Sequence, residues 1–230
     1  MPSQNNLRHI AIVMDGNRTW ATTRGLPKLM GHTEGAKTLK KIATAVRERE
    51  IPYLTVWALS TENLKERSPE ELKHLFSLFN QLTNYLEDFF KHNARVLLIG
   101  NISELPAETQ KRLGEMVEKT KSHTAMTLIL AVNYGGRDEI LRATKKMLAA
   151  GVSPEGVTEE TFKTYLDTAN IPDPDLIIRT AGHQRLSGYL PWQSTYAELY
   201  FTDVQWPAFS EKDLDDAIAW FQNQKRNHGK

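Results

Sequence analysis

Five short apolar runs punctuate the chain: His9–Met14 (HIAIVM), Tyr53–Leu59 (YLTVWAL), Arg95–Ile99 (RVLLI), Met126–Val132 (MTLILAV) and Leu176–Ile178 (LII). They are continuous and rich in branched side chains, the pattern of strands buried on both faces. Between them the apolar positions fall three and four apart, the period of a helix with one buried stripe. Leu39, Ile42, Ala43 and Val46 make one stripe; Ile140, Leu141, Thr144, Met147 and Leu148 a second; Leu214, Ala217, Ile218 and Phe221 a third. Ser68-Pro69-Glu70-Glu71 reads as a helix start, with a capping serine, a proline at the first helical position and a carboxylate able to answer the cap. Ser210 with Asp213 repeats that signal more weakly. Strand–helix alternation predicts βαβ units, hence a mainly parallel central sheet of about six strands flanked by helices. No repeat, low-complexity tract or Pro/Gly linker interrupts the pattern, so residues 1–230 read as a single α/β domain.

Charge narrows the partners. Lys and Arg total 29 and Asp and Glu 28, a net charge of +1 that argues against a nucleic-acid coat or a polybasic membrane patch. The absence of cysteine removes disulfides, thiolate zinc sites and thiol catalysis. No apolar run approaches the roughly 18 residues of a transmembrane helix, and MPSQNNLRHI lacks the apolar stretch of a secretory signal. The chain therefore reads as cytoplasmic.

In parallel α/β sheets, ligands bind beyond the carboxyl ends of the strands. At those ends stand Asp15-Gly16-Asn17-Arg18-Thr19-Trp20, Ser60-Thr61-Glu62-Asn63, Asn133-Tyr134-Gly135-Gly136-Arg137, and Arg179 through Ser187. Each has a plain structural explanation: Asp-Gly is a common turn, Asn133–Gly136 a tight connection, Arg179 and Arg185 surface charges. Their conjunction on one rim is harder to dismiss. Glu198 is the only charged residue between Leu186 and Thr202. It either faces solvent from a half-buried strand or meets a cation, because a carboxylate buried among aromatics without a partner is costly.

Carboxylates combined with arginines suit Mg²⁺ and diphosphate: Mg²⁺ takes one or two carboxylates plus phosphate oxygens, and guanidinium forks grip phosphate. Neither GxxxxGK[ST] nor GxGxxG is present. The helix after Ser68 carries Leu72, Leu75, Phe76, Leu78, Phe79, Leu82, Tyr85, Leu86, Phe89 and Phe90, more than one narrow stripe. Such a helix is either sandwiched between neighbours or lines an apolar cavity beside the polar rim.

Six strings, HIAIVMDGN (9–17), GH (31–32), STEN (60–63), NYGGR (133–137), PDLIIRTAG (174–182) and YAELYFTDVQWP (196–207), occur in the order and spacing of one family. Over residues 9–209 the chain resembles the cis-prenyltransferases of the undecaprenyl diphosphate synthase type. The resemblance implies a parallel-sheet fold with a hydrophobic tunnel, one wall of it the helix of Leu72–Phe90. It implies condensation of isopentenyl diphosphate with an allylic diphosphate such as farnesyl diphosphate, a Mg²⁺ cofactor, a homodimer, and transient contact with the inner membrane face for release of an undecaprenyl-type carrier lipid.

Carried onto this sequence, Asp15 is the central acid, serving catalysis and Mg²⁺. Gly16, Asn17 and Arg18 form the cradle for the allylic diphosphate, with Lys28 and Arg67 as cationic help, His32 a diphosphate contact and Trp20 a further substrate-binding residue. Arg179, Arg185 and Ser187 form the isopentenyl diphosphate clamp. Glu198 is the second metal position, reached across the homodimer. Ser60 and Asn63 bind substrate and handle the transferred proton. Thr19 and Lys28 stand where the family carries Arg, Leu64 where it carries Trp, His183 where Glu is common, Gly188 where Asn is common, and Glu66 is an extra residue before Arg67. A non-catalytic partner subunit and a doubly wound phosphohydrolase are the competing readings.

Overall fold

Six strands build one sheet: β1 (His9–Val13), β2 (Tyr53–Ser60), β3 (Ala94–Ile99), β4 (Met126–Tyr134), β5 (Leu176–Arg179) and β6 (Glu198–Phe201). Their order is β3-β4-β2-β1-β5-β6 and every neighbouring pair is parallel. The computed structural model describes residues 7–85 and 92–225. The described helices are α1 (Asn17–Thr22), α2 (Lys28–Glu48), α3 (Thr61–Glu66), α4 (Pro69–Tyr85), α5 (Ala107–Thr120), α6 (Gly136–Ala149), α7 (Glu159–Lys163) and α8 (Glu211–Gln222).

The continuous apolar runs have the cause the sequence suggests. All five residues of β1 are buried. Ile10 and Ile12 face a core built with Leu39, Ile42 and Val46 of α2, Leu75, Phe79 and Leu82 of α4, and Leu214 and Phe221 of α8. Ala11 and Val13 face the opposite cluster, with Ile129, Ile177, Tyr134 and Tyr189. Alternate residues thus point to two different dry layers, and the one polar side chain of the strand, His9, is buried with hydrogen-bond partners on both ring nitrogens.

Three helix details differ from the sequence pattern. On α6 the buried face is Glu139, Ala143 and Met147, while Leu141 and Leu148 are 61% and 72% exposed. The helix is rolled because Glu139 turns inward and accepts hydrogen bonds from the Tyr134 hydroxyl (2.7 Å), Gln193 Nε2 (3.0 Å) and the Asp167 N–H (3.0 Å). At Ser68, the hydroxyl accepts from the Glu71 N–H at 3.3 Å, yet the Glu71 carboxylate points to His32 and Arg67 instead of back to the cap. The complete capping box is at Ser210 and Asp213, the pair with the weaker sequence signal. On α4, Leu75, Phe79 and Leu82 enter the core; the Tyr85 side chain, Leu86, Phe89 and Phe90, expected along the tunnel, lie outside the described residues.

Candidate active site

β1 lies between β2 and β5, where the chain's crossovers depart to opposite sides and a parallel sheet leaves a crevice at its carboxyl ends. A cleft of ≈ 670 Å³ opens there, walled by residues 13–19, the end of β2, α3, and the loop after β5.

Asp15 stands at its centre. Its Oδ2 accepts from Arg179 Nη2 at 2.9 Å and its Oδ1 from the Gly16 N–H at 2.8 Å. Thr180, fully buried, fixes the backbone: its Oγ1 accepts from the Asp15 N–H at 2.9 Å and donates to the Asp15 carbonyl at 2.7 Å. Gly16 has φ +97°, and a Cβ there would lie 2.9 Å from the Ala181 Cβ, so only glycine turns the chain from β1 into α1. Asn17 Nδ2 ties the turn to the Met14 carbonyl at 3.0 Å. At Gly31 a Cβ would lie 1.9 Å from the Asn17 carbonyl oxygen, which is why α2 crosses α1 at the Gly31-His32 step. The first N–H to bond within α1 is that of Trp20, to the Gly16 carbonyl, leaving the amides of residues 17–19 without an intrahelical acceptor.

Arg179 is 5% exposed. Besides Asp15 it donates through Nη1 to Ser187 Oγ at 2.9 Å and to the Arg185 carbonyl, while its buried Nε has no partner among the described residues. The guanidinium therefore shapes the 185–187 loop as well as the acid. Arg185 itself reaches into the cleft beside His183. This loop is docked on the Asn133–Arg137 segment: Gly136 N–H donates to the Gly188 carbonyl at 2.8 Å, and Tyr189 stacks on Trp57 with centroids 5.0 Å apart. Asn133 through Arg137 do not line the cleft; they carry the loop that does.

A second cationic group lines the same cleft. Arg18, His32 and Arg67 converge on Glu71, with Arg67 Nη1 3.0 Å and Arg18 Nη1 4.0 Å from its carboxylate. His32 Nε2 lies 2.9 Å from Glu71 Oε1 and 3.3 Å from Arg67 Nη1; because the carboxylate only accepts, the shorter contact assigns the ring hydrogen to Nε2. Burial, then Arg67, push the His32 ring down to about 4, so it is neutral near pH 7. Burial raises the Glu71 carboxyl, but the His32 hydrogen bond and the Arg67 charge outweigh it and hold Glu71 below the usual carboxylate range. Ser60 Oγ caps α3 by accepting from the Asn63 N–H at 3.0 Å, and both side chains line the cleft.

Three residues expected at the site do not line this cleft. Trp20 is covered by Arg24, whose guanidinium lies 4.6 Å from the ring centroid. Lys28 is exposed at the first turn of α2. Glu198 opens β6 opposite Leu176, three strand residues before Arg179, about 10 Å back along the sheet; within one chain it does not share a site with Asp15. The sequence alone does not single out two further residues of the site. Glu71 reads as a helix cap in sequence, and Thr180 gains its meaning only once β1 and β5 are adjacent.

Among the described residues no three His, Cys, Asp or Glu side chains cluster as a metal cage. Asp15 fits a different arrangement, a cleft-facing carboxylate whose partners leave lone pairs for an ion completed by diphosphate oxygens and water.

Comparison with known proteins agrees with this architecture. The family model described as "Putative undecaprenyl diphosphate synthase" matches residues 13–229. The isoprenyl transferase of Treponema denticola is 45% identical over 226 residues, 98% of each chain. The ditrans,polycis-undecaprenyl-diphosphate synthase ((2E,6E)-farnesyl-diphosphate specific) of Micrococcus luteus is 42% identical over 227 residues, 96% of this chain and 91% of that one. The crystal structure of lavandulyl diphosphate synthase from Lavandula x intermedia, in complex with dimethylallyl diphosphate, superposes with a TM-score of 0.94 at 35% identity, covering 97% of this chain and 98% of that one. A probable undecaprenyl diphosphate synthase from Campylobacter jejuni gives 0.81 at 35% identity, covering 98% and 100%. With the family's sequence pattern running through all but the first dozen residues and the last, and its fold reproduced over the whole sheet, this chain belongs to the undecaprenyl diphosphate synthase family of isoprenyl transferases.

Proposed function

We propose that the chain condenses isopentenyl diphosphate with an allylic diphosphate such as farnesyl diphosphate and repeats the step to make a cis-polyprenyl diphosphate, the undecaprenyl-type carrier of cell-wall synthesis. One observation carries the reading: the cleft that Asp15 lines is also lined by two cationic groups with different acidic partners, Arg18 and Arg67 on Glu71, and Arg179 on Asp15 itself with Arg185 in the following loop. A coupling enzyme with two diphosphate substrates needs two cradles, whereas a phosphohydrolase needs one.

In this reading Gly16, Asn17, Arg18, His32 and Arg67 hold the allylic diphosphate, with Lys28 and Trp20 at the outer edge. Arg179, Arg185 and Ser187 place isopentenyl diphosphate. The allylic carbon–oxygen bond breaks as the alkene of isopentenyl diphosphate attacks, so the chain's main task is alignment. Negative charge grows on the departing diphosphate, and cations already in place stabilise that transition state more than the ground state. Asp15, with Ser60 and Asn63, faces the carbon that loses its proton. The hydrocarbon leaves the polar mouth over Trp57, Ala58 and Leu59 towards a tunnel beside α4. Asp15 would hold Mg²⁺ together with diphosphate oxygens, with Glu198 from the second copy of a homodimer as the further acidic group, and the ion would supply Lewis-acid charge to the leaving group. No described helix is long and apolar enough to cross a membrane; we place the enzyme in the cytoplasm, touching the inner membrane face to release product.

The test is incubation of the purified protein with Mg²⁺, farnesyl diphosphate and labelled isopentenyl diphosphate, with chromatography of the lipids. Elongated products are expected. Phosphate release without longer lipids would replace this reading by hydrolysis, and no turnover by the protein alone would replace it by a non-catalytic subunit.

A further inference from the structure

Where α1, α2 and α4 meet, an acid sits among the cations of the allylic cradle. Glu71 is 9% exposed, with Arg67, His32 and Arg18 all directed at its carboxylate. A simple anion site has no use for a resident carboxylate, which competes with the ligand for the same guanidinium groups. Its relation to His32 gives it one.

A neutral imidazole has one N–H to give; a carboxylate can only accept, so the 2.9 Å contact with Glu71 assigns that hydrogen to Nε2, with Arg67 Nη1 a longer 3.3 Å from the same nitrogen. That leaves Nδ1 as a bare lone pair. The ring lines the cleft, and Nδ1 has no hydrogen-bond partner among the described residues. A diphosphate oxygen approaching it would meet an acceptor with an acceptor, which is repulsive. The contact becomes attractive once Nδ1 carries a proton, and the surroundings favour that change. Burial and Arg67 are the leading causes that keep the ring neutral, His74 adds weakly to them, and Glu71 opposes them. A bound diphosphate brings negative charge beside Arg67 and Arg18, cancelling the repulsion from those cations. Glu71 meanwhile keeps the Nε2–H and stabilises the imidazolium from behind.

We propose that Glu71 is a positioning residue that makes His32 a proton-coupled grip: it holds the Nε2–H, turns Nδ1 to the cleft, and lets the ring take a proton from solvent as the allylic diphosphate arrives and return it when pyrophosphate leaves. This rests on the reading of the cleft as a diphosphate site. Affinity in that half of the site is then linked to pH, falling as pH rises, and Glu71 rather than a second ligand sets the linkage.

The test uses ¹⁵N-labelled protein in metal-free buffer at about pH 7.5, with inorganic pyrophosphate as the probe. The His32 ring nitrogens should change from the neutral Nε2–H pattern to the imidazolium pattern on titration, and Glu71→Gln should stay neutral. The ratio of wild-type to Glu71→Gln affinity cancels the ionisation of pyrophosphate itself; it should fall with rising pH by up to about tenfold per unit. In steady state, Glu71→Gln should raise the KM for the allylic diphosphate about tenfold and leave that for isopentenyl diphosphate within about twofold. A merely structural Glu71 would not produce the pH-dependent ratio or the imidazolium signature. If pyrophosphate binds while wild-type His32 stays neutral, the proposal is overturned and the diphosphate reading stands. If the wild type does not bind pyrophosphate, that reading falls and takes the proposal with it. Should Glu71→Gln fail to fold, the wild-type spectra alone decide.

Discussion

The Asp15 carboxylate and the Arg179 guanidinium meet at 2.9 Å although 164 residues separate them. The contact closes the ends of β1 and β5 over the cleft, and the same guanidinium reaches on to Ser187. One buried cation therefore fixes the acid and the loop that faces it, so their separation is set by the sheet rather than by flexible loops.

Asp15→Asn keeps the shape of the side chain and removes its charge. We expect kcat to fall by at least about 10²–10³, the usual loss when a pre-placed electrostatic group is removed, with little change in secondary structure. Circular dichroism and steady-state kinetics on one preparation check both. Near-normal turnover would remove Asp15 from the mechanism.

Thr180→Val should injure the same acid without touching its side chain. The Asp15 N–H and carbonyl each lose one of two partners, keeping only the Val13 carbonyl at 3.0 Å and the Trp206 N–H at 2.9 Å. Losing a net hydrogen bond while the groups stay paired elsewhere costs about 0.5–1.5 kcal/mol each. We expect a lower urea midpoint at unchanged m-value, and a fall in kcat larger than any change in KM because Asp15 loses its placement. Thr180→Ser, which keeps the hydroxyl, should restore most of both; a serine variant as poor as valine would show that the methyl contact, not the hydrogen bonds, is what counts.

The strands were legible because burial on both faces leaves few polar positions inside a run, so β1, β2 and β4 announce themselves despite His9 and Thr55. The cleft was legible for a related reason: the motif residues stand where those runs end. What failed was any inference needing a partner far away in sequence. Glu139 draws no notice in the sequence because nothing near it shows that Gln193 and Asp167 wait inside. Glu71 reads as a cap because Ser68 is three residues away, while His32 is thirty-nine. Glu198 is conspicuous as a lone charge, yet only the register of β6 against β5 puts it at the far end of the sheet.

Glu139 gives a prediction about the clamp. Its carboxylate gathers Tyr134, Gln193 and the Asp167 amide, and Gln193 continues to Thr168 at 2.8 Å. This buried network anchors the far side of the loop that begins at Arg185. Glu139→Ala should destabilise the fold by roughly 2–4 kcal/mol, combining a cavity with several orphaned donors. Among molecules that remain folded it should raise the KM for isopentenyl diphosphate more than that for the allylic substrate. Equal changes in both constants would mean that the network supports the sheet in general rather than the clamp.

Acid should weaken the fold well above the carboxylate range, and the cause is histidine. His9 is 2% exposed, with Nδ1–H donating to the Pro172 carbonyl at 2.7 Å and Nε2 accepting from the Thr55 hydroxyl at 2.7 Å. Burial pushes its pKa down to about 4, and His32 lies at about 4 as well. In the unfolded chain both titrate near 6.5. Between 6.5 and about 4 the unfolded state thus binds protons that the folded state refuses, and every step down in pH favours unfolding. The stability these two rings contribute is complete above pH 6.5 and is lost as pH falls towards 4, on the order of 3 kcal/mol for each. Glu71 and Asp167, held below the usual carboxylate range by His32 and Arg142 against the opposing effect of burial, lose their contribution at lower pH still. Glu139 runs the other way: burial raises its pKa, so the proton it retains stabilises the fold on the acid side and softens the decline. Urea midpoints measured from pH 7.5 to 4.5 should therefore drop steadily, and His9→Gln, which keeps a donor and an acceptor but cannot titrate, should flatten the drop by about half. A variant as acid-sensitive as the wild type would assign the loss to other groups.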